Sequence, residues 1–149
     1  MNAAAAKARD PRVQRIVQVF EQLRDSELER LGEIYRADAS FKDPFNEVQG
    51  LAAIQQVFRH LFVALREPRF VIRDVLCDGD QCFLSWDFLF RMRRFSGDEQ
   101  CIRGATHLRL AADGRIGEHR DYWDAAEELY EKLPLLGGLM RWLKQRANR

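Results

Sequence analysis

Residues suited to acid–base chemistry cluster in residues 119–124, a stretch predicted to end a sheet and lead into a helix. Side chains alternate between the faces of a strand, so His119, Asp121 and Trp123 are expected on one face. A carboxylate in a concave, apolar site loses hydration and becomes a useful base near neutral pH. We predict Asp121 as a general base hydrogen-bonded to His119. The alternative is a solvated strand end.

A second acidic residue, Asp43, precedes Pro44. The proline disfavours a helical conformation at Asp43, which is therefore predicted at a strand end. Asp43 and Asp121 are expected to face one cavity from opposite edges, and two carboxyl groups in unequal surroundings suit proton transfer. The alternative for Asp43 is a cap in the turn formed by residues 43–46.

A metal site built from His119, Asp121 and Asp43 is conceivable, but no short ligand motif supports it, and we expect no metal and no other cofactor. Three cysteines without a Cys-x-x-Cys pair favour reduced thiols. Cys77 and Cys82 flank a tight turn, so a cross-strand pair is geometrically conceivable.

Composition indicates one domain, because 149 residues with 46% hydrophobic content can bury a core. A formal charge of +1 gives no global field for nucleic acid, and we expect no nucleic-acid partner. The first eight residues lack the apolar region of a secretory signal, and no apolar run is long enough to span a membrane. We therefore expect a cytoplasmic protein.

Helical periodicity is predicted in three segments of the N-terminal half. Residues 1–10 are predicted as a disordered tail, and a helix follows Asp10-Pro11, since an acid and then a proline are typical of a helix start. A capping box at Ser26 and Glu29 predicts a second helix extending to Tyr35. The third is predicted over residues 51–65, after Gly50.

From Arg69 onward the apolar period changes to two, and three turn signals divide the region into four strands of a meander. A capping box at Asp124 and Glu127 predicts a further helix that Pro134 ends. Residues 11–133 are thus predicted as one domain and residues 134–149 as an amphipathic helix.

This order of elements predicts an α+β fold: a curved antiparallel sheet wrapped around the N-terminal helices as a cone-shaped roll, with an internal pocket and extra C-terminal helices. Side chains from both layers are predicted to contact a ligand there. They are Tyr35, Phe41, Phe45, Phe58, Phe62, Trp86, Phe88, Thr106 and Trp123.

Three features together resemble a known superfamily: residues 35–45 (YRADASFKDPF), the helix that follows Gly50, and a meander ending in the residues RDYWD at 120–124. The chain is similar over residues 13–133 to the nuclear transport factor 2-like superfamily, in particular its SnoaL-like polyketide cyclase, ketosteroid isomerase and limonene epoxide hydrolase branches. The resemblance implies the cone-shaped fold, a pocket and a homodimer.

The resemblance also implies roles for single residues. Asp43 stands where ketosteroid isomerases have their general base, and Trp123 matches a pocket tryptophan. Thr106 replaces a protonated acid and an apolar residue replaces a tyrosine, so the oxyanion donors of those isomerases are missing. Asp121 matches a catalytic acid of the epoxide hydrolases and the acid of the cyclases, although the arginine that partners it in the hydrolases is absent near Asp87.

We therefore predict a domain that binds a small hydrophobic molecule and carries out isomerisation, cyclisation or hydration with Asp121 and Asp43. A non-catalytic binding or interaction module is the alternative. A homodimer is expected through the outward sheet face, which carries Arg103, Arg109, Arg120 and Tyr122. The C-terminal helix, cationic and amphipathic, is predicted to contact a membrane surface, to cover the pocket or to join a dimer.

Overall fold

Helices pack against the inner face of a curved six-stranded sheet in the computed structural model, which describes residues 8–93, 97–129 and 134–147. The predicted α+β class is confirmed. The sheet and its helices enclose one apolar core, to which residues from all parts of the domain contribute.

The first helix, α1, spans Pro11–Gln22 as predicted. The carboxylate of Asp10 accepts a hydrogen bond from the backbone N–H of Arg12 at 2.9 Å and caps the helix. Ala8 is buried, and its carbonyl accepts a 2.6 Å hydrogen bond from the side chain of Gln14. The end of the predicted tail therefore contacts the domain, and residues 1–7 lie outside the described residues.

The predicted second α-helix is wrong. Asp25–Glu33 forms a 3₁₀ helix with non-helical dihedrals at Glu27 and no side-chain cap. Its end is set by the sheet, because the carbonyl of Ile34 accepts a 2.6 Å hydrogen bond from the N–H of Ile116 and draws the chain into a strand. Tertiary pairing outweighs local helix preference here.

Strand β1 is Tyr35–Lys42, a short β2 is Glu47–Gln49, and α2 is Leu51–Ala64. Strand β1 starts before the predicted position, because Tyr35 already pairs with the last strand. Gly50, with a φ of 95°, makes the turn into α2, where an L-residue with a side chain would be strained.

The predicted meander is confirmed: β3 is Leu65–Asp78, β4 is Gln81–Met92, β5 is Glu99–Leu110 and β6 is Ile116–Tyr122. The strand order is β2-β1-β6-β5-β4-β3. All neighbours are antiparallel except β1 and β6, which run parallel. Register shifts in β1, β3 and β5 bend the sheet around the core.

The inner face of β4 is aromatic, since Trp86, Phe88 and Phe90 are all buried. Gly104 of β5 lies directly opposite Trp86, and the indole ring lies over it. The missing side chain at Gly104 is what leaves room for this ring position.

The C-terminal segment begins with the short helix α3, Ala125–Glu128, capped by the Asp124 carboxylate as predicted. Glu128 is buried and pairs with Arg103 at 2.9 Å, which ties α3 to β5. Residues 130–133, the rest of the predicted helix, lie outside the described residues. Helix α4 is Pro134–Ala147.

Cys77 and Cys82 are partners in the β3–β4 register, and their sulfur atoms lie 3.2 Å apart. Both are free thiols. Two of the three cysteines thus lie side by side across the hairpin.

Replacing Gly104 by alanine should destabilise the fold. The added Cβ would lie 2.4 Å from Cη2 of Trp86, so the indole would have to move. Because that ring is buried and hydrogen-bonded, we expect a loss of about 1–3 kcal/mol in the free energy of unfolding, measured by urea denaturation.

Gly117→Ala is the matched control, because a Cβ there meets its nearest neighbour, the Arg109 carbonyl oxygen, at an ordinary 3.7 Å. Equal stability of the two variants would contradict the packing argument for Gly104.

Candidate functional site

The concave side of the sheet and α2 enclose a cavity of about 400 Å³. Its wall contains most of the residues predicted to form the site: Phe41, Asp43, Phe45, Phe58, Trp86, Phe88, Thr106, His119, Asp121 and Trp123. Tyr35 and Phe62 do not line it. Tyr35 is fully buried behind His119, and Phe62 only packs at the edge of the core.

Several wall residues were missed by the sequence analysis: Phe20, Asn46, Val57, His60, Leu61, Leu65, Phe70, Ile72, Leu84, Phe90, Met92, Ile102 and Leu129. Strand alternation could have identified Leu84, Phe90 and Met92, which share a face with Trp86. Phe70 and Ile72 could not be assigned without the β3–β4 register, which contains two shifts.

Five side chains form a continuous hydrogen-bonded chain at the inner end of the cavity. The Trp86 indole N–H donates to Thr106 Oγ1 at 2.8 Å, and Thr106 donates to Asp121 Oδ1 at 2.6 Å. On the other side of Asp121, His119 Nε2 lies 2.7 Å from the same Oδ1. The Tyr35 hydroxyl lies 2.7 Å from His119 Nδ1. We call these five residues the polar relay.

The direction of each hydrogen bond follows from the residues at the two ends of the polar relay, Trp86 and Tyr35. An indole N–H only donates, so the Thr106 hydroxyl accepts from Trp86 and passes its own hydrogen to Asp121. Burial raises the pKa of the Tyr35 hydroxyl, and the charge of Asp121 raises it further, so Tyr35 keeps its hydrogen and donates it to His119 Nδ1. His119 then carries its proton on Nε2 and donates it to Asp121.

The relay is assembled from four strands. Tyr35 comes from β1, Trp86 from β4, Thr106 from β5, and His119 and Asp121 from β6. Thr106 and Asp121 are partners in the β5–β6 register, so their contact is fixed by the ladder. His119 is 5% exposed and is held between Phe20 and Phe41. Its ring orientation therefore has little freedom.

Asp121 is the acid of this cluster that faces the cavity. Both recorded hydrogen bonds reach Oδ1, and within the described part of the chain no donor is recorded for Oδ2. Its side chain is 16% exposed. One carboxylate oxygen is thus held in place while the other remains available to a bound molecule.

Asp43 lies at the cavity wall but serves the turn after β1. Its Oδ1 accepts backbone hydrogen bonds from Phe45 at 2.8 Å and Asn46 at 2.6 Å. The Asn46 side-chain amide also reaches both carboxylate oxygens. Asp43 therefore caps the turn formed by residues 43–46, which is the alternative role given for it in the sequence analysis.

No group of three or more His, Cys, Asp or Glu side chains suited to a metal ion is present among the described residues. Within those same ranges, no helix is long and apolar enough to cross a membrane.

Comparison with protein-family models gives a match to the SnoaL-like domain over residues 13–119. A comparison with curated protein sequences finds no significant match. The family match covers α1 from Val13, α2, the sheet as far as His119, and most of the cavity wall.

Solved structures with the same fold share little sequence with this chain. A hypothetical protein with a ketosteroid isomerase-like fold from Catenulispora acidiphila, in complex with trimethylamine, is 15% identical with a TM-score of 0.70, over 82% of this chain and 92% of that one. A putative SnoaL-like polyketide cyclase from Jannaschia is 18% identical, TM-score 0.69, over 80% and 92%. An epoxide hydrolase from M. tuberculosis, resembling the limonene enzyme, is 14% identical, TM-score 0.62, over 78% and 83%.

Alkaline pH should destabilise the protein through Tyr35. The folded chain holds a phenolic proton that the unfolded chain, with an ordinary tyrosine pKa of about 10, releases. The Tyr35 contribution to the free energy of unfolding is complete below about pH 10. It falls as the pH rises toward the folded pKa, by up to about 1.4 kcal/mol per pH unit.

Tyr35→Phe should remove this part of the alkaline slope in urea unfolding, and should cost about 1 kcal/mol at neutral pH because a hydrogen bond is lost. Tyr122→Phe is the control, since Tyr122 is 50% exposed. The buried thiol of Cys82 also has a raised pKa, but it adds the same alkaline slope to the wild type and to both variants. An unchanged slope in Tyr35→Phe would contradict the assignment.

Proposed function

Because the chain belongs to the SnoaL-like domain family, we propose that it binds a small, largely apolar molecule in the cavity and transfers a proton to or from it through Asp121. The reaction class is isomerisation, cyclisation or hydration without a cofactor. One observation carries this proposal: Asp121 stands at the inner end of an aromatic cavity with one oxygen fixed and the other available.

The cavity suits such a ligand by size and by lining. A volume of about 400 Å³ lies within the range of small-molecule sites, and most of the wall is aromatic or aliphatic. Phe45 is exposed and packs edge-to-face on Trp123, so these two rings stand where the cavity meets solvent. A ligand would bury its apolar body against the inner rings.

In this mechanism Asp121 accepts the proton, and the other four residues of the polar relay hold the Asp121 carboxylate in place. His119 and Thr106 donate to Oδ1 and fix the carboxylate, and Tyr35 and Trp86 fix those two donors in turn. A base held in one orientation next to a bound carbon acid gains from proximity. Asp43 shapes the turn at the cavity wall and is given no role in proton transfer. Of the two acids expected from the sequence, the proposal therefore keeps Asp121 alone.

Asp121→Asn should abolish proton transfer while the fold is kept, since the amide has nearly the same shape but is not a base. The assay is hydrogen–deuterium exchange in D₂O, followed by NMR, of an apolar carbon acid without a carbonyl group, such as 9-cyanofluorene. This assay needs no knowledge of the natural product. We expect exchange to slow by about 10²–10⁴-fold.

Asp38→Asn is the control, because Asp38 is a largely exposed acid on β1. Equal exchange by wild type and Asp121→Asn would rule out Asp121 as the base. Ligand binding without any catalysed exchange would instead favour the alternative, a non-catalytic binding module of the same fold.

The homodimer expected from the resemblance stays a prediction. On the outward sheet face Tyr122 is exposed with Arg120 over its ring, while Arg109 pairs with Glu118 and Arg103 pairs with Glu128. Size-exclusion chromatography with light scattering would establish the oligomeric state.

Helix α4 is proposed to contact an anionic membrane surface. Leu139, Trp142 and Leu143 are about half exposed, and residues 134–149 contain four basic and no acidic residues. Leu139→Ser with Leu143→Ser should therefore weaken salt-sensitive binding to phosphatidylserine vesicles, with Leu76→Ser, an exposed β3 leucine, as control. No vesicle binding by the wild type would favour a lid or dimer role.

A further inference from the structure

The hydrogens of the polar relay are all used within the relay itself. Trp86 donates to Thr106, Thr106 donates to Asp121, Tyr35 donates to His119, and His119 donates to Asp121. Each of these side chains has a single hydrogen to give in this arrangement. The buried end of the cavity therefore offers a ligand lone pairs, above all those of Asp121 Oδ2, and no free side-chain donor from the relay.

The charged residues of the cavity wall also favour a ligand that donates a hydrogen bond over one that carries a negative charge. Among the described residues that line the cavity there are two aspartates and no lysine or arginine. A ligand carboxylate or phosphate would face Asp121 without any cation to compensate it, and burying such a charge is costly. A cationic group would meet a carboxylate and the faces of aromatic rings, both of which attract it.

The other side-chain donors of the wall belong to partly exposed residues. The amide of Asn46 is bonded to Asp43, and His60 is an exposed residue of α2. Trp123, which packs on the exposed ring of Phe45, is itself only partly buried. None of them belongs to the buried relay, so they do not change what its end of the cavity can recognise.

We infer that the cavity selects an apolar molecule whose polar group donates a hydrogen bond to Asp121, with an ammonium group as the strongest form and a hydroxyl group as the neutral form. This inference rests on the proposed binding function and names its ligand class. It also distinguishes the site from one that polarises a carbonyl, since a carbonyl oxygen needs a donor that the relay does not provide.

Four compounds with one ring system test this inference: naphthalen-2-ylmethanamine, naphthalen-2-ylmethanol, 2-methylnaphthalene and 2-naphthoate. Dissociation constants come from NMR titration of the full-length protein, with the indole N–H signal of Trp86 reporting the inner end. Affinity should fall in the order given, with the ammonium compound binding about tenfold or more tightly than the methyl compound. Naphthoate should bind most weakly.

Asp121→Asn gives a sharper test, because it should reverse the order. The carbonyl oxygen of the substituted amide would take over the hydrogen bonds from Thr106 and His119, which places the amide NH₂ where Oδ2 stands. Naphthoate should then gain affinity and the ammonium compound should lose about tenfold or more. Circular dichroism verifies the fold of the variant, and the wild-type series tests the inference independently of it.

Different results would contradict the proposed binding site and the inferred ligand class. If none of the four compounds binds, including 2-methylnaphthalene, the apolar binding site itself is refuted. If all four bind and naphthoate binds as tightly as the ammonium compound, the cavity stands as a binding site while the inferred ligand class is overturned.

Discussion

A carboxylate inside an aromatic cavity persists only if hydrogen bonds compensate its lost hydration, and this requirement organises the domain. Asp121 obtains them from Thr106 and His119, which in turn need Trp86 and Tyr35. No buried side-chain nitrogen or oxygen of the described residues lacks a partner. Strands β1, β4, β5 and β6 must therefore hold their mutual registers, because a shift of one residue would turn a relay member to the other face.

The same relay explains why the binding and chemical properties of the site are linked. Every hydrogen bond that fixes Asp121 also uses up a donor that a ligand could have engaged. The Asp121 carboxylate is thereby held in one orientation, and the relay has no free side-chain donor left for a negatively charged oxygen. This differs from the isomerase arrangement implied by the resemblance, and the difference lies at Thr106, which replaces an acid able to donate into the pocket.

Much of this arrangement was accessible from the sequence. Alternation along β4 and β6 placed Trp86, His119 and Asp121 on the inner face, and capping residues located the start of α1. The wrong second helix resulted from long-range pairing. Tyr35 fits a helical stripe as well as a strand, and only its pairing with Ile116 across the sheet decides between them. Asp43 was expected either as a proton-transfer acid or as a cap of the turn, and residue types alone did not decide between these two roles, because the hydrogen bonds to the turn depend on local backbone geometry.

The parallel pairing of β1 with β6 also fixes when the site comes into existence. Tyr35 and His119 are 84 residues apart in the chain, and among the described strands β1 lies between the short β2 and β6. Closing so long a loop is entropically costly, so contacts of this kind form after local hairpins. On the ribosome, β1 must wait for nearly the whole domain to be synthesised. The hairpins of the meander, which bring Thr106 and His119 to Asp121, can thus form before Tyr35 reaches His119, and a chain without the β1–β6 pairing has an incomplete relay.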